Sequence, residues 1–333
     1  MSEIIHVLLT GGVGSRLWPL SRKSRPKQYI DLFGGYSLFE LSVIRNEGFS
    51  TKLNVVGNVD NNELSKKALT KLGNEAYSNI IEATPRNTAP AIAFAAFSAK
   101  PEDILLVTPA DHIIKEGEEY SAAVNKAIEL AKSDSIVTFG IKPEKPETGY
   151  GYIEHKGEDV IAFREKPDLE TAESFLEAGN FLWNSGMFCF KAGVFLEELK
   201  NFAPEVFEKS LKAWKNNQEG ELKLDDSMGI PSISVDYAVM ERSDKIKVVS
   251  SDFEWSDMGS FDAIFDYLKD QNHPIDENGN MVIGSENYTA FVGLKDSILV
   301  CTSDANLVLS KEQSQDVKKL YLKLERSSSP LIN

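Results

Sequence analysis

The sequence predicts an α/β protein: a doubly wound, mostly parallel sheet followed by a small β domain. Three observations carry this expectation. Up to about residue 145, short β-branched runs alternate with longer helical patterns, the alternation that builds a parallel sheet with helices on its faces. From Tyr150 strand patterns crowd together and end in an aromatic run, as in an insertion that walls a ligand cleft. After Asn278-Gly279-Asn280, four short apolar runs separated by Gly, Asn and Asp lead into a last helical pattern.

In chain order, strands are expected near Ile4 to Leu9, Leu53 to Val56, Asn79 to Glu82, Ile104 to Thr108 and Ile136 to Phe139, each a short run with apolar or β-branched residues. Helices fill the gaps over Leu38 to Asn46, Asn61 to Leu72, Ala89 to Ala99 and Glu118 to Lys132. The last of these places Ala122, Val124, Ala127, Ile128 and Ala131 at helical spacing. Strands at Tyr152 to Glu154 and Val160 to Phe163, a helix at Leu169 to Ala178 and the strand Phe181 to Phe190 complete the insertion. Gln218 to Pro231 is polar and glycine-containing, and reads as a connector or a lid. The small β domain takes Met281 to Ile283, Tyr288 to Val292, Ser297 to Cys301 and Ala305 to Leu309, closed by a helix over Lys311 to Leu324. The domains then divide as 1–275 and 280–333.

Composition narrows the function. The chain has 333 residues, 42% hydrophobic and 26% charged, the balance of an ordinary globular protein. With 36 Lys and Arg against 51 Asp and Glu, the net charge of −15 repels polyanions, so no nucleic-acid or anionic-membrane surface is expected. Two cysteines, Cys189 and Cys301, make neither a disulfide framework nor a metal cluster. The first apolar run is too short for a signal-peptide core or a membrane span, and a cytoplasmic location is expected.

Chemistry concentrates after the first strand, where Leu9-Thr10-Gly11-Gly12-Val13-Gly14-Ser15-Arg16 runs into a glycine-rich turn. Such a turn lets backbone N–H groups approach a phosphate. It lacks the third glycine of the dinucleotide fingerprint, Leu17 standing there, and the Gly-Lys-Ser/Thr ending of a P-loop. By itself it reads sooner as a plain strand-to-helix turn than as a phosphate loop. From Arg16 to Lys27, however, Arg16, Arg22, Lys23, Arg25 and Lys27 occur with no acid between them, in an acidic chain. A cationic loop at the carboxyl end of the first strand is where an open α/β sheet binds ligands, and it suits a triphosphate.

Gly-Gly-x-Gly-Ser-Arg-Leu-Trp-Pro-Leu-Ser-Arg over Gly11 to Arg22, with Arg25-Pro26-Lys27-Gln28, resembles the signature of the sugar-1-phosphate nucleotidylyltransferases. Its Leu-Trp-Pro-Leu-Ser and Pro-Lys-Gln details resemble the mannose-1-phosphate guanylyltransferases among them. Six further segments follow in that family's order: Glu82 to Pro90, Thr108 to His112, Thr148 to Ile153, Phe163 to Pro167, Trp183 to Phe188 and Trp255 to Ser260. The resemblance implies a Rossmann-like nucleotidyltransferase fold and a left-handed β-helix-like tail that helps form homodimers. Longer family members add a cupin-type isomerase domain, for which this chain offers neither the length nor, with four histidines, the ligands.

Several of these residues keep two readings on local chemistry alone. Thr88 to Pro90 reads as a helix start capped by Thr88, leaving Asn87 as turn former or nucleotide contact. Asp111, after an apolar strand, is a metal ligand or a helix cap, and His112 is packing or support. Lys166 beside Glu165 is a surface ion pair or a phosphate contact. Asn184 carries both a donor and an acceptor for hydroxyls, and Asp257 is equally a helix cap.

The resemblance implies transfer of GMP from GTP to mannose 1-phosphate with Mg²⁺. It puts Arg16 on the leaving phosphates, Lys27 at the reacting centre, and Asp111 and Asp257 on the metal. Gly11, Gly12, Gly14, Ser15, Asn87 and Pro109 would line the nucleotide. Gly149, Glu165, Lys166 and Asn184 would line the sugar phosphate. A nucleotidylyltransferase for another nucleotide or sugar, and a catalytically silent binding paralogue, remain the alternatives. The latter is expected to lose Lys27, Asp111 or Asp257, and all three are present.

Overall fold

The computed structural model describes residues 2–115 and 117–333. Its sheet strands begin with β1 (Ile4–Leu9), β2 (Lys52–Asn58), β3 (Tyr77–Glu82) and β4 (Ile104–Pro109). The helices α1 (Leu38–Asn46), α2 (Asn62–Lys71) and α3 (Thr88–Ser98) separate them. Then come β5 (Ile113–Ile114), α4 (Glu118–Lys132), β6 (Ile136–Ile141), β7 (Gly151–Lys156), β8 (Asp159–Glu165), α5 (Leu169–Ala178) and β9 (Phe181–Lys191). The chain continues through α6 (Ala192–Phe202), α7 (Pro204–Lys215), α8 (Leu224–Met228), β10 (Ile246–Ser251), β11 (Trp255–Ser256) and α9 (Phe261–Asp270). It ends in β12 (Met281–Ile283), β13 (Ser297–Cys301), β14 (Asn306–Ser310) and α10 (Val317–Arg326).

Contacts divide the chain into two units. The first runs up to Gly11 and takes in Glu40–Ala110 and Ile114–Trp255; the second joins Gly12–Phe39 and Asp111–Ile113 to Ser256–Asn333. The first unit holds a nine-stranded sheet in the order β3-β2-β1-β4-β9-β6-β10-β8-β7. Strands β3, β2, β1 and β4 are parallel, as the alternating sequence requires. Beyond β4 the sheet is mixed: β9 enters antiparallel to both β4 and β6, and the β7–β8 hairpin follows as an antiparallel edge. The expected mostly parallel sheet is thus parallel through its first four strands, is interrupted by β9, and resumes where β10 pairs parallel with β6.

Alternation along the central strands makes two cores. Leu105 and Val107 of β4 face one cluster with α3 and α6, while Ile104 and Leu106 face another with α4. Helix α3 is covered on every side, which explains its all-apolar Ala89-to-Ala96 run. Small side chains there let it lie close to the sheet, while Phe94 stacks on Trp214 and Phe97 meets Phe207 edge-on. Gln218 to Pro231 is tied down rather than lid-like. Ile81 donates to the Gly220 carbonyl and Leu222 donates to the Ile81 carbonyl, both at 2.9 Å, covering the open edge of β3. A Cβ on Gly220 would lie 2.2 Å from the Asn79 carbonyl oxygen, so only glycine permits that approach.

In the second unit β12 pairs parallel with β13, and β13 antiparallel with β14. Tyr288 to Val292, expected as a strand, is not one: it has no partner in this sheet, and Tyr288 and Val292 are 95% and 92% exposed. Apolar composition alone cannot make a strand without an edge to pair with. The closing helix starts as a 3₁₀ stretch over Lys311–Asp316 and becomes α-helical from Val317. Among the described residues no helix is long and apolar enough to cross a membrane.

At the end of β3, Glu82 is buried with no hydrogen bond to its Oε1 among the described residues. Burial pushes its carboxyl up to about 7, and the Arg86 backbone N–H only partly opposes this. The folded state therefore prefers the protonated form. That preference stabilises fully below the ordinary value of 4.5 and is lost as pH rises through about 7. Glu82→Gln should match the wild type near pH 4.5 and exceed it by on the order of 2 kcal/mol at pH 8. Urea midpoints at both values check this, and an equal difference at the two pH values would contradict it.

Candidate active site

The glycine-rich segment leaves β1 as an irregular loop. Gly12 and Gly14 have φ of 91° and 76°, the left-handed region that glycine adopts without strain. Gly14 meets a second constraint, since a Cβ there would lie 2.5 Å from the Lys27 Cβ. The Lys27 stem therefore runs across the bare glycine, and the Lys27 backbone N–H donates to the Val13 carbonyl at 3.2 Å.

The Lys27 side chain is only 8% exposed, and its Nζ lies 2.8 Å from Asp111 Oδ2 and donates to the Asp257 backbone carbonyl at 2.6 Å. Burial pushes the Asp111 carboxyl up, but the charges of Lys27 and His112 and the Lys27 hydrogen bond outweigh it, and the net shift is downward. Asp111 is thus an ionised carboxylate at neutral pH. Asp257 Oδ1 accepts from the Gly259 N–H at 3.0 Å across a bend in which Met258 has φ 45°. Asp257 is not the cap of α9, because Ser260 stands at that position. The second unit therefore brings Lys27, Asp111 and Asp257 together.

The other loop cations are spent on structure. Arg22 makes a forked ion pair with Asp304, at 2.6 and 3.0 Å, and donates to the Leu331 carbonyl, which also receives the Trp18 indole N–H. Lys23 pairs with Glu325 and Arg25 with Asp31. Arg16 sits in the 3₁₀ turn Ser15–Leu17, half-buried, and among the described residues its guanidinium carries no partner. Five cations in sequence thus reduce to Arg16 and Lys27 as groups suited to phosphate.

In the first unit Asn87, not Thr88, caps α3. Its side chain accepts from the Thr88 N–H at 2.8 Å with φ at 75°, and the Thr88 hydroxyl instead accepts from the Val235 N–H. Arg86 is committed to the Ile230 carbonyl at 2.7 Å. Pro109 ends β4. The Gly149 N–H donates to Glu147 at 3.0 Å, so this backbone donor is already engaged.

Glu165 and Lys166 close β8 as an ion pair of 2.8 Å, with Lys166 in the left-handed region at φ 45°. The Glu165 carboxylate lies over Gly151, where a Cβ would come within 2.6 Å of Oε2 and 3.6 Å of the Asn184 Cβ. Asn184 Nδ2 donates to Asp236 Oδ1 at 2.9 Å. Tyr150 packs edge-on against both Trp183 and Trp255. Gly151 and Asp236 are the neighbours that sequence reasoning missed. Gly151 stands inside the quoted Thr148-to-Ile153 segment, whereas Asp236 lies in a stretch with no motif to mark it.

A bound cation is tested by its donors. Among the described residues no three His, Cys, Asp or Glu side chains cluster as a metal cage. Asp111 and Asp257 supply hard carboxylate oxygens, the donor type taken by an ion such as Mg²⁺ that keeps water and phosphate oxygens as its other ligands.

Gly14→Ala should cost about 1–3 kcal/mol of stability, from the strained φ and from displacement of Lys27. Gly11→Ala meets nothing within 4 Å and should stay within about 0.5 kcal/mol of the wild type. Urea unfolding of the two variants gives the comparison, and equal losses would refute it.

Known proteins match this chain in sequence and fold. The nucleotidyl transferase profile covers residues 5–273, and a MannoseP isomerase/GMP-like β-helix profile covers 271–324. The xanthan biosynthesis protein XanB of Xanthomonas campestris pv. campestris is 37% identical over 98% of this chain and 74% of its own. A mannose-1-phosphate guanylyltransferase of Escherichia coli is 38% identical over 96% of this chain and 73% of its own. A Thermus thermophilus crystal structure, described as a mannose-1-phosphate geranyltransferase, superposes with a TM-score of 0.83 at 27% identity, covering 97% of this chain and 99% of that one. With the strand-to-glycine-loop signature and the match across both segments, the chain belongs to the nucleotidyl transferase family, among relatives named mannose-1-phosphate guanylyltransferases.

Proposed function

We propose that this nucleotidyltransferase transfers GMP from GTP to α-D-mannose 1-phosphate, giving GDP-mannose and pyrophosphate. The observation that carries the reading is the buried Lys27 ammonium, held against an ionised Asp111 and the Asp257 turn, in a chain whose relatives are named for this activity. A phosphate oxygen of mannose 1-phosphate forms a bond to the α-phosphorus of GTP. The bond from that phosphorus to the bridging oxygen breaks, and pyrophosphate leaves with the electron pair. The nucleophile is already anionic, so no protein base and no covalent enzyme intermediate are needed.

The work left to the chain is alignment and charge. Lys27 offsets charge at the reacting phosphate and Arg16 binds the leaving phosphates. The Gly11, Gly12, Gly14 and Ser15 backbone, with Asn87 and Pro109, lines the nucleotide. Glu165 and Asn184 take sugar hydroxyls, and Lys166 takes the sugar phosphate together with Gly149, whose N–H exchanges its Glu147 partner for the phosphate. Asp111 and Asp257 would hold Mg²⁺, which supplies neutralisation of phosphate charge when bound. The protein acts in the cytoplasm as a homodimer, a reading supported by two free cysteines and the exposed Tyr288 and Val292. Sedimentation as a monomer at micromolar concentration would count against the dimer.

Pyrophosphate release with each nucleoside triphosphate and each sugar 1-phosphate tests the reading. GTP should exceed ATP and UTP in kcat/KM by roughly a hundredfold or more, since a wrong base leaves buried polar groups unpaired. Equal use of UTP would reject the guanylyl assignment. Asp111→Asn should lower kcat by roughly a hundredfold or more while the chain stays folded, and raise the Mg²⁺ needed for half-maximal rate. Near-normal turnover of this variant at limiting Mg²⁺ would remove Asp111 from the metal site.

A further inference from the structure

The proposed sugar-binding group contains a carboxylate that no motif singled out. Asp236 opens a single π-helical turn, Asp236–Met240, a rare backbone form that recurs at functional sites. Its Oδ1 accepts from Asn184 Nδ2 at 2.9 Å. On the other side of the same amide, Asn184 Oδ1 accepts from the Thr138 hydroxyl at 3.2 Å and the Gly186 N–H at 3.1 Å. Gly186 itself has φ of 70°, the left-handed region that glycine adopts without strain.

An asparagine amide has two nearly isosteric faces, and its neighbours decide which end presents the oxygen. Here two donors surround Oδ1 and one acceptor meets Nδ2, so only one orientation satisfies all three. Thr138 and Gly186 alone hold the oxygen end. Asp236 holds the nitrogen end, leaving the second Nδ2 hydrogen for an incoming acceptor. Glu165, with its carboxylate over Gly151, is the charged group that acts on Asp236 together with burial, and both push the Asp236 carboxyl upward. Burial is the larger cause, and a ligand that donates hydroxyl hydrogens to such carboxylates, as a polyol does, offsets it. An anion without hydrogens to donate offers no such relief.

We propose that Asp236 is a positioning residue for the sugar: it fixes the Asn184 amide so that Asn184 donates, and Glu165 accepts, at hydroxyls of the sugar 1-phosphate. This rests on the sugar-phosphate reading given above. Without Asp236 the amide loses its reason to keep its orientation, and sugar recognition weakens while nucleotide recognition does not.

The experiment uses the full chain and steady-state kinetics with each substrate varied in turn. Asp236→Ala should raise KM for mannose 1-phosphate by roughly tenfold, the effect of losing one orienting hydrogen bond, with kcat and KM for GTP within about threefold of the wild type. Asp236→Asn still offers a carbonyl oxygen to Asn184 Nδ2 and should recover KM to within about threefold of the wild type. An unchanged sugar KM in Asp236→Ala overturns the proposal. So does an equal rise in both KM values, or an Asp236→Asn variant as impaired as Asp236→Ala. Wild-type turnover is read first: if mannose 1-phosphate fails and another sugar 1-phosphate succeeds, the functional reading falls on that point. The KM comparison is then made with the sugar that reacts, and the same outcomes decide it. If Asp236→Ala does not fold, Asn184→Asp decides instead. It removes the Nδ2 donor and puts a third carboxylate beside Asp236, and an unchanged sugar KM there overturns the proposal.

Discussion

An ammonium group almost shut off from water must be neutralised, and in this chain the neutralising groups come from segments distant in sequence. Lys27 follows the glycine-rich loop, Asp111 follows β4 and Asp257 precedes α9. Leaving any of the three unmatched would bury an uncompensated charge or polar group, a cost of several kcal/mol. The requirement reaches back into the loop, where Gly14 must stay without a side chain so that the lysine stem can pass. It also explains why the Asp257 turn accepts Met258 in the left-handed region: the bend that carries the carboxylate also presents the carbonyl that Lys27 needs.

The first unit solves a different problem with similar means. Its polar cluster is not anchored by one buried charge but by backbone exceptions, each allowing a side chain to come close. Gly151 leaves room for Glu165, Gly186 folds its N–H onto Asn184, and Lys166 turns out of β8 with positive φ. The surrounding strands are regular and the aromatic trio of Tyr150, Trp183 and Trp255 is packed edge to face, so the exceptions sit on a rigid base.

Much of this was legible in the sequence wherever local pattern and tertiary burden agree. Strand β1, the helices α1, α4 and α5, and strand β13 lie where the apolar pattern puts them, β1 because it is buried on both faces as a central strand. Helices α6 and α7, the π-helical turn and β10 went unread, since their stretches carry no quoted motif. Tyr288 to Val292 failed for the opposite reason, having strand-like residues but no edge to join. Among candidate site residues, Lys27, Asp111 and Asp257 were accessible as a set only through the family resemblance, since no spacing rule relates them. The run of cations was read too generously: sequence shows charge, but not that Asp304, Glu325 and Asp31 had already claimed Arg22, Lys23 and Arg25.

The Arg22 fork has a consequence for how the molecule is made. Its acceptor at Leu331 lies 309 positions downstream. At about 5–20 residues per second, a ribosome needs roughly 15 to 60 s between adding the arginine and adding the residue that receives it. The signature loop is therefore fastened only after the 309 residues that follow Arg22 have been added. Throughout that interval Arg22 and Trp18 wait for their acceptor, and a nascent chain interrupted before Leu331 carries the loop without its clasp.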